Sequence, residues 1–160
     1  MEITGEPGPE KAVLIGVELP GTGSQEVEDS LEELARLTET AGAEVADVQV
    51  QRRKRPHPAT FIGPGKAEEL RDICAELEAA VVICDREISP GQANKLEEVV
   101  EVKVLDRTQL ILDIFAGRAR TREGKLQVEL AQLDYMLPRL VGTGTQLSRL
   151  GGGIGTRGPG

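Results

Sequence analysis

The strongest constraint on the fold is an alternation. Short apolar runs bounded by turn residues are separated by longer stretches in which apolar residues recur at helical spacing. Residues 12–17 (AVLIGV), the β-branched segment with Val45, Val48 and Val50, the triplet Thr60-Phe61-Ile62, residues 81–84 (VVIC) and residues 102–105 (VKVL) each read as a strand. Between them, Val27, Leu31, Leu34 and Ala41, then Ala67, Leu70, Ile73, Cys74 and Leu77, then Ala93, Leu96 and Val100 mark the inward faces of three helices. Ser89 opens the third helix with two signals: Pro90 at the first helical position and Gln92 placed to close a capping box. Strands separated by helices produce a mainly parallel sheet with helices on both faces. The expectation is a small three-layer α/β domain over residues 1–105.

From Asp106 the pattern changes. Asp106 and Gln109 have capping-box spacing, and almost everything to Leu140 suits a helix apart from Gly117 and Gly124. Each glycine costs about 1 kcal/mol inside a helix, which predicts a break between them. Leu126, Leu130, Leu133, Leu137 and Leu140 then form a stripe too narrow to be buried alone, so it calls for a partner helix. Residues 106–141 are therefore expected to be a helical arm, half of a helical hairpin or coiled coil. Residues 142–160 form a glycine-rich tail, expected to be mobile unless bound.

Several function classes are weakened by the residues themselves. No run approaches the roughly 20 apolar residues that span a bilayer, which argues for a soluble, cytoplasmic protein. Cys74 and Cys84 lack a nearby histidine to complete a metal set and read as buried free thiols, and His57, between Pro56 and Pro58, reads as a loop residue. Gly16 and Gly21 have the spacing of a phosphate-binding loop, but Thr22-Gly23-Ser24 follows where a lysine is required. Gly63-Pro64-Gly65-Lys66 opens a helix, yet Pro64 removes one of the amides that would hold an anion. Gly153, Gly155 and Gly158 match a dinucleotide fingerprint without the strand and helix it needs. No cofactor or metal is expected within this chain.

Charge is unevenly distributed: residues 1–102 carry 10 Lys/Arg against 22 Asp/Glu, whereas residues 103–160 carry 9 against 5. The basic cluster Arg118, Arg120, Arg122 and Lys125 lies beside the expected helix break, with Arg139, Arg149 and Arg157 following. Guanidinium groups grip phosphate oxygens bidentately, and a glycine-rich backbone around Gly152 and Gly153 can approach a phosphate without steric clash. These nine residues are the candidate RNA-binding set, with a solvated helix face as the alternative. The run Arg52-Arg53-Lys54-Arg55 reads first as a solvated strand end and second as an RNA contact.

Four strings sharpen this: TFIGPGKAEEL at 60–70, DRT at 106–108, ILDIFAGRARTREGKLQVELAQ at 111–132 and GGGIGTRGPG at 151–160. Together they closely resemble the N-terminal region of HflX-type ribosome-associated GTPases, over roughly residues 10–160. The resemblance implies an α/β domain, a helical arm, and a loop leading to a second arm helix and a GTPase domain that lie outside this chain. It also implies binding to the large ribosomal subunit and its RNA, and GTP-driven dissociation or rescue of stalled ribosomes. GTP and Mg²⁺ would belong to the GTPase domain, so this chain by itself is not expected to be an enzyme. A monomer is expected, with an arm-mediated dimer as an alternative. A competing reading is an α/β domain that senses a small molecule or nucleotide around Gly21 to Ser24 and Asp85 to Ser89, with no RNA role. A purely structural spacer is a third.

Overall fold

The structure, a computed structural model, describes residues 8–140. Along the chain run β1 (Lys11–Glu18), α1 (Ser24–Thr40), β2 (Glu44–Arg52), α2 (Pro64–Leu77), β3 (Val81–Cys84), α3 (Pro90–Val100), β4 (Lys103–Asp106), α4 (Arg107–Arg118) and α5 (Arg122–Leu140). The four strands make one sheet in the order β2-β1-β3-β4, and every pairing is parallel. Alternate residues of each strand point to opposite faces. Val13, Ile15, Val82, Cys84 and Val104 therefore pack under α2 and α3, with Leu70, Cys74 and Leu96. Ala12, Leu14, Val81, Ile83 and Leu105 pack under α1 and α4, with Leu31, Leu34 and Leu110. The three-layer α/β architecture is as the alternation requires.

The edge strand β2 shows how the pattern is tuned. Val45 pairs with Ala12 but Asp47 pairs with Val13, so Ala46 is an extra residue that bulges. The bulge shifts the side-chain parity by one, which puts Val45, Val48 and Val50 on the same sheet face as Ala12, Leu14 and Gly16. Without it Val45 would face the opposite layer.

One expected strand is absent. Residues 58–60 form a turn closed by a bridge between His57 and Phe61, which leaves 60–62 outside the sheet, with Phe61 at φ 68° and fully buried in the same core as Val13, Leu70 and Leu96. The His57 Nδ1 accepts from the amides of Ala59 and Thr60, and the Thr60 hydroxyl donates to the Ile62 carbonyl, so the loop satisfies its own polar groups locally. The triplet is apolar because it plugs the core from a loop.

The Ser89 capping box forms in both directions, with the Gln92 amide donating to Ser89 Oγ and the Gln92 side chain accepting from the Ser89 amide. At Asp106 only the forward half forms: its carboxylate accepts from the Gln109 amide, whereas the Gln109 side chain donates to Asp113. The predicted break also forms, α4 ending at Arg118 and α5 starting at Arg122, with the Thr121 hydroxyl accepting from the Gly124 amide to cap α5.

Candidate nucleic-acid interface

Helix α4 begins where β4 ends and buries Leu110 and packs Ile114 against the α1 side of the core. Beyond Ile114 it leaves the body, and Phe115 is exposed. The chain turns over residues 119–121 and α5 returns alongside α4, so the two make an antiparallel hairpin. Asp113 Oδ1 marks the mid-point, accepting from both Gln109 of α4 and Gln132 of α5. Twelve residues of α4 place the tip about 18 Å from the helix start.

Arg118 closes α4, Arg120 sits in the turn, and Arg122 and Lys125 occupy the first turn of α5. All four are exposed, and none pairs with an acid among the described residues. Four cations and one acid, Glu123, thus crowd the end of a projecting element. Such an end can present several charges to a phosphate backbone at once, releasing counterions with each contact. Arg149, Gly152, Gly153 and Arg157, with the glycine-rich stretch 142–160, lie outside the described residues.

Arg139 stands apart from the other candidates. It is 8% exposed, and its guanidinium donates to the Ile88 carbonyl, to Asp106 at 3.2 Å and to the Tyr135 hydroxyl while lying 3.8 Å over the Tyr135 ring. A cation so engaged is not free to grip an external phosphate, because breaking a buried pair costs about 3–5 kcal/mol. Its position serves an anchor that the sequence reading missed. The Asp106 carboxylate accepts from the amides of Gln109 and Ile88, from Arg139 and from the Tyr135 hydroxyl. One buried acid therefore ties the end of β4, the start of α4, the β3–α3 loop and the returning end of α5. Burial, followed by the hydrogen bond to Asp106, pushes the Tyr135 hydroxyl far above its ordinary pKa and keeps it a donor. Partners 29 and 33 positions from Asp106 have no local signature; the only hint was that Asp106 begins a helix.

The stripe Leu126, Leu130, Leu133 and Leu137 is 57, 61, 55 and 53% exposed, so no described element covers it. The side of α5 that meets the body carries Tyr135, Met136 and Arg139, Met136 lining a small cavity with Ala93, Val104 and Leu105, while Gln132 joins α5 to α4.

The region proposed for a small ligand is occupied by side chains. Order β2-β1-β3-β4 puts the switch point at the C-terminal ends of β1 and β3. There Arg107 bonds Asp85 at 3.0 Å, Glu33 at 2.7 Å and the Ser30 carbonyl at 3.1 Å. Gly21, at φ 86°, occupies the third position of a turn closed by the Thr22 amide on the Leu19 carbonyl, with Pro20 before it. Gly16 lies inside β1, where a Cβ would come 3.2 Å from the Leu31 side chain of α1. Lys66 reaches back to Gln49 of β2 at 2.7 Å and to Glu69 at 3.3 Å. The described residues therefore do not make the lysine and hydroxyl cradle that GTP and Mg²⁺ require. Cys74 and Cys84 are buried free thiols; burial pushes the first up to about 11, and burial together with Asp106 and Asp85 pushes the second well above its usual value. No group of metal-ligating side chains and no helix able to cross a membrane is found among the described residues.

Residues 28–116 match the family described as GTP-binding GTPase N-terminal, and residues 118–160 match the GTP-binding GTPase Middle Region. The chain belongs to the HflX GTPase family. A GTPase HflX of Lacrimispora saccharolytica is 55% identical over 94% of this chain and 35% of that protein, and a GTPase HflX of Escherichia coli is 50% identical over the same shares. The chain thus spans about a third of the length of these HflX relatives. A crystal structure of a GTP-binding protein from Sulfolobus solfataricus in complex with GDP superposes with a TM-score of 0.65 at 26% identity, covering 85% of this chain and 40% of that one. The junction between the two matched HflX regions falls at residue 117, in the last turn of α4.

Proposed function

We propose that this chain is the ribosome-binding part of an HflX GTPase, a body over residues 1–105 that carries an arm over 106–141 and a glycine-rich loop over 142–160. Arg118, Arg120, Arg122 and Lys125 at the arm's tip contact RNA of the large ribosomal subunit, and Arg149, Gly152, Gly153 and Arg157 extend that contact. Hydrolysis of GTP with Mg²⁺, carried out by another region of the whole protein, resets the affinity and so helps to dissociate or rescue stalled ribosomes in the cytoplasm. The chain itself hydrolyses nothing and acts as a monomer. The observation that carries this is the unpaired cationic tip of the α4–α5 hairpin on a body that is otherwise acidic. Sedimentation with purified large subunits over a salt series tests it. Replacing Arg118, Arg120 and Arg122 together by alanine should weaken binding and lower the log–log salt slope by about two to three units, since each lost phosphate contact removes 0.7 to 0.9 of a unit, roughly. The melting transition should hardly move, because exposed charges contribute little to folding. Unchanged affinity and slope would leave the tip a solvated surface.

A further inference from the structure

A second basic cluster lies far from the tip along the fold. β2 ends at Arg52, and Arg53, Lys54 and Arg55 continue beyond the strand, at the C-terminal end of the sheet's outer edge. β2 and β4, from which the arm departs, are the two edges of the sheet, three strand spacings or about 14 Å apart, so the two clusters do not form one continuous strip.

Charges at a sheet edge often serve only to block unwanted strand pairing. Here other features do that: the bulge at Ala46 interrupts β2, and the Asp47 carboxylate accepts from the Val48 amide, covering a donor that another strand could use. Three of the four cations lie past the strand end and protect no edge. Folding does not call for them as a set either. Arg52 meets Glu18 at 3.6 Å with its side chain 82% exposed, a pair of little energetic weight. Arg53 is half-buried and steadies the loop by donating to the Arg55 carbonyl, whereas Lys54 and Arg55 are exposed and meet no acid among the described residues. Arg52, Arg53 and Lys54 line an open groove with Glu18, Leu19 and Pro20. The turn that supplies Leu19 and Pro20 leads into α1, a 17-residue helix with no side-chain cap at its N-terminus, so the positive end of its dipole adds to the same side of the molecule.

We propose that Arg52, Lys54 and Arg55, held in place by Arg53, form a second polyanion-binding surface that takes the phosphate backbone of RNA, so that the body and the arm grip two separate RNA segments. A phosphate backbone fits better than a small anion because Arg52 and Lys54 lie along an open groove and the exposed Arg55 follows outside its lining, so the cations do not converge on one point. The partner class rests on the ribosomal function proposed above.

The test compares the unaltered chain with three variants: R52Q/K54Q/R55Q, R118A/R120A/R122A and both sets combined. Binding to purified large subunits is followed from low to physiological salt, with polyglutamate as a competitor, and circular dichroism confirms folding. The body variant should lose about two to three units of salt slope by itself, roughly the same as the arm variant, and the combined variant should lose about the sum. Arg53 is left intact because of its bond in the loop. A single substitution, R55E, should weaken binding at least as much as R55Q. Loss in the arm variant with no change in the body variants overturns the second surface and leaves the proposed function standing. No change in either set, or no binding by the unaltered chain, overturns both. Displacement by polyglutamate as effective as by free ribosomal RNA at equal charge would assign the groove to an acidic polypeptide and overturn the RNA inference.

Discussion

The α/β body and the α4–α5 hairpin are held together by different chemistry. In the body, both sheet faces are covered, and β1 and β3 show unbroken burial from Ala12 to Ile15 and from Val81 to Cys84. In the hairpin, α4 is rooted in the core by Leu110 and Ile114, but the apolar stripe of α5 stays exposed, and α5 is held by Asp106, Arg139 and Tyr135, with Gln132 and Asp113 joining it to α4. Hydrophobic burial is non-directional and tolerates small displacements, whereas a buried polar hub fixes one geometry. A body of the first kind suits a scaffold, and an arm of the second kind keeps one defined angle while leaving its tip and one face free.

The largest effect that would probe this contrast is expected at the hub. Asp106→Ala leaves the Ile88 amide and the Arg139 cation buried without their acceptor, and should destabilise by about 3–5 kcal/mol in urea titration. Hydrogen exchange should quicken in α5 well before it does in β3; uniform quickening would mean that arm and body are one cooperative unit. Leu34→Ala in the body should cost about 2–5 kcal/mol, since that side chain is fully buried, whereas Leu133→Ala should stay within about 0.5 kcal/mol. A comparable loss at Leu133 would show that the stripe is covered in solution. Gly16→Ala brings a Cβ to 3.2 Å from the Leu31 side chain, which needs to give by only a few tenths of an ångström, so stability should change by less than about 1 kcal/mol, with no effect specific to nucleotide binding. The mildest test concerns the thiols: with Cys74 pushed up to about 11 by burial and Cys84 pushed well above its usual value, both should react slowly with a thiol reagent at pH 8 in the folded chain and rapidly in urea. Fast labelling of either would indicate that α2 or β3 opens readily.

The same contrast explains what could be read from the sequence. β1 and β3 announce themselves because burial on both faces demands continuous apolar runs, the edge strand β2 does so by its alternating valines, and α3 does so because Ser89, Pro90 and Gln92 carry their capping chemistry within four positions. Thr60-Phe61-Ile62 misleads because an apolar triplet has the same local composition whether it extends in a sheet or plugs a core; only the chain path forces Phe61 to a positive φ. The bulge at Ala46 is invisible for a related reason, as its effect is a shift of parity relative to β1. The basic tip could be listed residue by residue, but Arg139 could not be separated from Arg118, Arg120 and Arg122, since its burial depends on α5 folding back to Asp106.

The central claim, that the arm's tip meets RNA while the interior of the body serves as support, is tested most directly by hydrogen exchange of the chain with and without purified large ribosomal subunits. Exchange should slow at residues 118–125 and stay unchanged at residues 81–84, which are already protected within the sheet. Slowing confined to residues 19–24 and 85–89, with none at the tip, would contradict it and place binding at the C-terminal ends of β1 and β3.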